Sequence, residues 1–247
     1  MYKETIGLVG GFGAYATLDF FARLLECFPA EKENERPRII MDNNFPMPSR
    51  VRAILYDENY SQIVEEICGS IQYLMDGNAD KIILVCSTAH AFLPEVLEKL
   101  PHAEERIVSL TKCVSDSMKK ENITNTVIIG SEGTLDTGVY DKALAQAGIA
   151  VYKPVTKEYP EIREFIESVK QKNITDMTLK SYIEFCNRMM DRYNTNNMIL
   201  GCTELPVLVK EIAKRQELLE ECREKYSLIQ FWDPLDCVLE FLRDTLK

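Results

Sequence analysis

Two cysteines stand where this chain could do chemistry. Cys86 ends the apolar run Ile82-Ile83-Leu84-Val85 and is followed by Ser87-Thr88-Ala89-His90. Cys202 ends Met198-Ile199-Leu200-Gly201 and is followed by Thr203-Glu204-Leu205-Pro206. A short continuous apolar run reads as a buried parallel strand, and α/β sheets place their chemistry at the carboxyl ends of such strands. A thiol there, beside a helix N-terminus, can have a lowered pKa and a real thiolate population. The two thiols are expected to face one pocket.

The elements that would position them alternate along the chain. Thr5–Val9 reads as a strand, Gly10-Gly11-Phe12-Gly13 as a glycine turn, and Tyr15–Phe28 as a helix with Leu18, Phe21, Leu24, Leu25 and Phe28 at helical spacing. Glycines let the backbone turn tightly and present N–H groups to a small anion. The spacing is not that of a dinucleotide fingerprint. A strand over 38–41 leads into a loop stiffened by Pro46 and Pro48, which ends at Arg50. A guanidinium on such a loop suits a carboxylate. A helix over 59–76, the first cysteine strand, a helix over 91–100, a short strand over 107–110 and a helix over 113–120 follow.

The pattern then restarts. A strand over 126–129, a glycine turn over 130–134, a helix over 140–147, a strand over 149–152 and helices over 159–170 and 179–192 lead to the second cysteine strand. Helix 205–218, strand 227–231 and helix 235–246 complete the chain. Strands alternating with helices imply parallel sheets. The fold class is therefore α/β, with two similar lobes, each a central parallel sheet flanked by helices, and a cleft between them. The expected lobes are 1–112 plus 207–247, and 113–206. Cys68, Cys113, Cys186 and Cys237 fall inside helical patterns and read as small core hydrophobes.

The composition excludes several classes. The chain has 247 residues and a net charge of -10. It has no basic block, which argues against nucleic acid as a partner. No apolar run approaches the roughly 18 residues that span a bilayer, and the N-terminus does not read as a signal peptide. A cytoplasmic protein with no membrane partner is expected, its eight cysteines free thiols. With no CxxC pair and two histidines, no metal site is expected.

Five phrases resemble the aspartate/glutamate racemase superfamily, most closely its aspartate racemase branch. They are Gly10-Gly11-Phe12-Gly13-Ala14-Tyr15-Ala16-Thr17, Pro48-Ser49-Arg50, Cys86-Ser87-Thr88-Ala89-His90, the turn from Gly130 to Tyr140, and Gly201-Cys202-Thr203-Glu204-Leu205. They occur in the family's order across nearly the whole chain. The resemblance implies two lobes related by a pseudo-twofold, a homodimer, no cofactor, and a small amino-acid substrate, aspartate or glutamate. It implies that Cys86 and Cys202 exchange the α-proton from opposite faces. It further implies that Arg50, helped by Lys170, grips the side-chain carboxylate, while Ser87, Thr88, Thr134, Thr203 and the turn at Gly11 hold the α-amino and α-carboxylate groups. His90 is matched to a role in orienting the first cysteine loop.

The chain departs from the family pattern at Ser87, in place of asparagine, and at Ser49, in place of aspartate. Phe12, Ala14 and Tyr15 also differ. These changes leave open another amino-acid specificity, a maleate isomerase-like or decarboxylase-like reaction, or an amino-acid-binding relative without catalysis.

Overall fold

The computed structural model describes residues 2–215 and 225–246. Its strands form two parallel sheets. In the first, β1 (Ile6–Gly10) lies between β2 (Ile39–Asn43) and β3 (Lys81–Leu84). In the second, β4 (Asn125–Gly130) lies between β5 (Ala150–Tyr152) and β6 (Asn197–Gly201), and β7 (Gln230–Trp232) pairs on the far side of β6. Each sheet thus has its first strand in the centre, its second on one side and its cysteine-bearing third on the other. The repeat read in the sequence is a repeat of topology.

The division expected for the lobes placed 207–247 with the first. The strand inside that segment belongs to the second sheet, because β7 pairs in parallel with β6 from Asn197–Gln230 to Ile199–Trp232.

The helices are α1 (Ala14–Cys27), α2 (Arg50–Tyr56), α3 (Tyr60–Asp76), α4 (Leu93–Lys99), α5 (Leu110–Lys120), α6 (Glu132–Thr137), α7 (Asp141–Gln146), α8 (Tyr159–Lys170), α9 (Asp176–Tyr193), α10 (Leu205–Lys214) and α11 (Pro234–Thr245). Two of these were expected as loop or turn. Arg50 does not end a loop but opens α2, because Ser49 caps that helix, its Oγ accepting from the Arg52 N–H. The glycine turn after β4 is α6, capped in the same way by Ser131, whose Oγ accepts from the Thr134 N–H. The strand expected over 107–110 shrinks to one bridge, Ile107 with Ile82. Ser109 is used instead as the cap of α5, accepting from the Lys112 N–H. Of the helix expected over 205–218, residues 216–218 lie outside the described residues, as does Cys222. The seven other cysteines are free thiols. No helix among the described residues is long and apolar enough to cross a membrane.

Both faces of the first sheet are covered, as parallel strands require. Ile6 and Leu8 point into a core shared with the second lobe, while Val9, Ile82 and Leu84 pack on α3 through Ile63, Ile67 and Ile71. The lobes are tied at several places by different means. Helix α11 docks on α1 through Arg23 Nη1–Asp233 Oδ2 at 2.7 Å, and on α5 through Ser117 Oγ donating to Glu240 Oε2 at 2.8 Å. Helices α2 and α6 meet at Gly133, where a Cβ would stand 3.0 Å from Thr88 Cγ2 and 3.1 Å from Ile54 Cδ1. On the other flank of the cleft, Lys172 Nζ, just past α8, sits 4.0 Å from the Tyr15 ring centre on α1.

Gly11 has φ +82, and a Cβ there would stand 2.5 Å from the Asn44 backbone. The turn before α1 therefore needs glycine both for its dihedral and for the approach of the 44–49 loop. Gly11→Ala is expected to lower stability by about 2 kcal/mol, read as an earlier midpoint in urea unfolding at unchanged slope.

Candidate active site

Cys86 follows β3 and Cys202 follows β6, so the two thiols come from the carboxyl ends of one strand in each sheet. They line a single cavity of about 70 Å³ between the lobes, together with Phe12, Ser49, Arg50, Ser87, Thr88, Ser131, Lys170, Thr203 and Glu204. Sequence position alone had suggested this meeting, and the fold brings it about.

The second thiol departs from the expectation of a lowered pKa. Burial pushes Cys202 well up, and the Glu204 carboxylate beside it adds to the rise. Cys202 Sγ donates to Glu204 Oε2 at 2.9 Å. Lys170 works in the opposite direction but is outweighed. Cys202 therefore rests as a thiol, with an acceptor already in place for its proton. Glu204 is almost fully buried and also accepts from Thr203 Oγ1 at 3.4 Å. Its part was not assigned from the sequence. Spacing puts the acid close to Cys202, but its effect there comes from burial shared by the two side chains.

The first thiol is held by its backbone. Leu110 N–H donates to His90 Nε2 at 3.3 Å, so the ring proton is on Nδ1, which donates to the Cys86 carbonyl at 3.0 Å. Burial lowers the His90 pKa from 6.5 to about 4. The ring is neutral and pins the cysteine loop against the start of α5. The unfolded chain protonates this ring near 6.5 and the folded chain only near 4. Stability is then complete above pH 6.5, falls as the pH drops through that window, and levels off below it. The window is worth about 3 kcal/mol. Urea unfolding between pH 7 and pH 4 should show the wild type losing about that much more than His90→Gln. Parallel losses would contradict the assignment.

The hydroxyl residues form two groups. Ser87 lines the cavity, but its Oγ pairs with Tyr140 OH at 2.8 Å, and burial raises the Tyr140 pKa so that it stays protonated. Thr88 Oγ1 lies 2.9 Å from both Ser131 Oγ and Thr134 Oγ1, and those two are 3.1 Å apart. Thr134 is buried behind the other two and does not line the cavity. Ser131, not singled out in the sequence, takes its place at the wall. The cap pattern of α6, a serine three residues before Thr134, was the sign.

The cations also divide. Arg50 spends one hydrogen bond on the Pro48 carbonyl at 3.0 Å and one on the Phe12 carbonyl at 2.6 Å, and stacks on the Phe12 ring at 5.0 Å. Its Nε is buried without a partner. The guanidinium is thus aimed by two backbone carbonyls and a ring, while its charge meets no carboxylate among the ion pairs of the described residues. Lys170 reaches the cavity from the end of α8, held by Glu167 Oε1 at 2.9 Å. Burial opposes its charge, but Glu167, Glu204 and Cys202 raise its pKa above the ordinary lysine value. Gly11 does not line the cavity with the thiols; Phe12 does.

A sequence profile described as Asp/Glu/Hydantoin racemase matches residues 9–221. A glutamate racemase of Aquifex aeolicus is 27% identical over 143 residues, covering 57% of this chain and 52% of that protein. A glutamate racemase of Aquifex pyrophilus is 28% identical over 142 residues, covering 58% and 53%. The chain thus spans about half the length of the curated relatives it matches. Among solved structures, an aspartate racemase of Picrophilus torridus superposes with a TM-score of 0.77 at 23% identity, covering 99% of this chain and 95% of that one. The glutamate racemase of Aquifex pyrophilus superposes with a TM-score of 0.62 at 16% identity, covering 98% and 84%. At these identities the superpositions speak for the two-lobed fold. The profile spans most of the chain, which belongs to the Asp/Glu/Hydantoin racemase family.

Proposed function

We propose that the protein is a pyridoxal phosphate-independent racemase of an acidic amino acid, aspartate or glutamate, working by two-base proton transfer. The observation that carries the reading is the arrival of one thiol from each sheet in one cavity. Racemisation needs two proton-transfer groups on opposite sides of one carbon. A pair on separate lobes meets that need, where a pair on one strand could not.

In this reading the thiolate on one face takes the α-proton. The C–H electron pair stays on the α-carbon and delocalises into the α-carboxylate, and the thiol on the other face returns a proton. Thiols are weak bases toward such a carbon, so placement and charge stabilisation carry much of the barrier reduction. Arg50 supplies a fixed charge for the side-chain carboxylate, with Lys170 beside it. Thr88, Ser131 and Thr203 supply hydroxyls for the α-amino and α-carboxylate groups. Glu204 holds Cys202 as the resting acid.

The test is proton NMR of dialysed protein in D2O with L-aspartate and, separately, L-glutamate. Loss of the α-proton signal accompanied by the D-enantiomer is the expected result. No exchange on either amino acid overturns the reading.

A further inference from the structure

The thiol cavity is not closed. Past Ser49 and Ser131 it continues into an outer chamber of about 360 Å³, sharing with it Ser49, Val51, Ser131, Ile166 and Lys170. Two of the shared residues, Ser49 and Ser131, carry the shortest hydroxyl side chains available. One of them stands where the resembling family carries an aspartate. Ser131, which is hydrogen-bonded to Thr88, lines both spaces, as does Lys170, whereas Arg50 lines only the thiol cavity.

Resting on the racemase reading, with the side-chain carboxylate at Arg50 and the α-carboxyl at the hydroxyls, the space adjoins the α-carboxyl end of the substrate. The walls beyond are Val51, Leu55 and Ile166, with Tyr56 and Tyr159, and the charged side chains Arg52, Arg163, Lys170, Glu132 and Glu167. Arg52 pairs with Glu58, Arg163 with Glu132 and Lys170 with Glu167, so the charges are balanced around an aliphatic floor. Such a surface has room for a short neutral backbone with a small side chain, whose terminal carboxylate would share the Arg163 guanidinium with Glu132.

We propose that the site also epimerises the N-terminal residue of short acidic peptides, an aspartyl or glutamyl residue whose α-carboxyl is held in a peptide bond. One thiolate takes the α-proton, the electron pair delocalises into the peptide carbonyl as an enolate, and the opposing thiol returns a proton. No bond to the next residue breaks and no co-reactant is consumed. The chemistry is easier than on the free amino acid, because a neutral amide accepts carbanion charge better than a carboxylate already carrying one.

The experiment follows L-glutamyl-glycine in D2O by NMR and mass spectrometry, with free L-glutamate and L-aspartate in parallel. The expected result is a one-deuteron mass gain and formation of the D-glutamyl diastereomer, without hydrolysis, at a kcat/KM no lower than that on free glutamate. Leu55→Trp, which fills the chamber, and Arg163→Ala, which removes one of its cations, are each expected to lower kcat/KM on the peptide at least tenfold. Both should leave the free amino acids within twofold. Exchange on a free amino acid with none on the peptide overturns this proposal and leaves the racemase reading standing. So does peptide exchange that neither variant alters. Absence of exchange on all three substrates overturns both.

Discussion

Cys202→Ala is expected to lower racemisation in both directions by about a thousandfold or more, yet to leave one enantiomer exchanging its α-proton with solvent. With a single thiol left, the enantiomer whose α-hydrogen faces it can still be deprotonated, and the deuteron returns to the same face. Exchange then proceeds without inversion. Cys86→Ala should show the mirror result, retaining exchange of the other enantiomer. Chiral chromatography and α-proton NMR on the same samples separate the two readouts. If Cys86→Ala alone abolishes activity while Cys202→Ala retains it, the chemistry runs on one cysteine, as in an isomerase or decarboxylase of this fold, and the two-base assignment is wrong.

Arg50→Ala is expected to raise KM about a hundredfold, close to 2.7 kcal/mol of lost binding, with a smaller change in kcat. The side chain is aimed by the Phe12 and Pro48 carbonyls and stacked on Phe12, and it forms no ion pair among the described residues. A buried charge hydrogen bond of that kind is worth more than a solvated one. Arg50→Lys should recover little, because an ammonium cannot use the same two carbonyls and still present a planar fork. An unchanged KM in both variants would remove Arg50 from substrate binding.

The alternation of strands and helices was legible because buried parallel strands are written as continuous apolar runs, and Ile82–Val85 and Met198–Leu200 are such runs. The pairing of two thiols was legible for the same reason, since each run stops at its cysteine. The short helices α2 and α6 were not. Each begins at a serine cap inside a stretch rich in proline or glycine, so the composition signalled a turn while one side-chain oxygen at Ser49 or Ser131 started a helix. The lobe membership of β7 was hidden because sheet partners are chosen by tertiary pairing, and Gln230–Trp232 carries no mark of which sheet it joins. Glu204 was overlooked as an actor because its effect on Cys202 is electrostatic and depends on shared burial, which spacing does not reveal. The helix-terminus argument for a low thiol pKa failed there for the same reason: a neighbouring carboxylate and desolvation outweigh a helix dipole.

The contact at Gly133 also governs how the cleft can move. With no Cβ on α6, the wall of Thr88 and Ile54 closes on the helix backbone, leaving no slack between the lobes at that point. Pulling them straight apart would open a void in packed surface. A rotation that keeps this contact as its pivot would not. The other flank is crossed by the exposed Tyr15–Lys172 contact and by the ion pairs of Arg23 with Asp233 and Asp19 with Lys210, all of which leave α1 on the second lobe. Kinematically, Gly133 makes the α2–α6 contact the point about which any relative rotation of the lobes loses least packing.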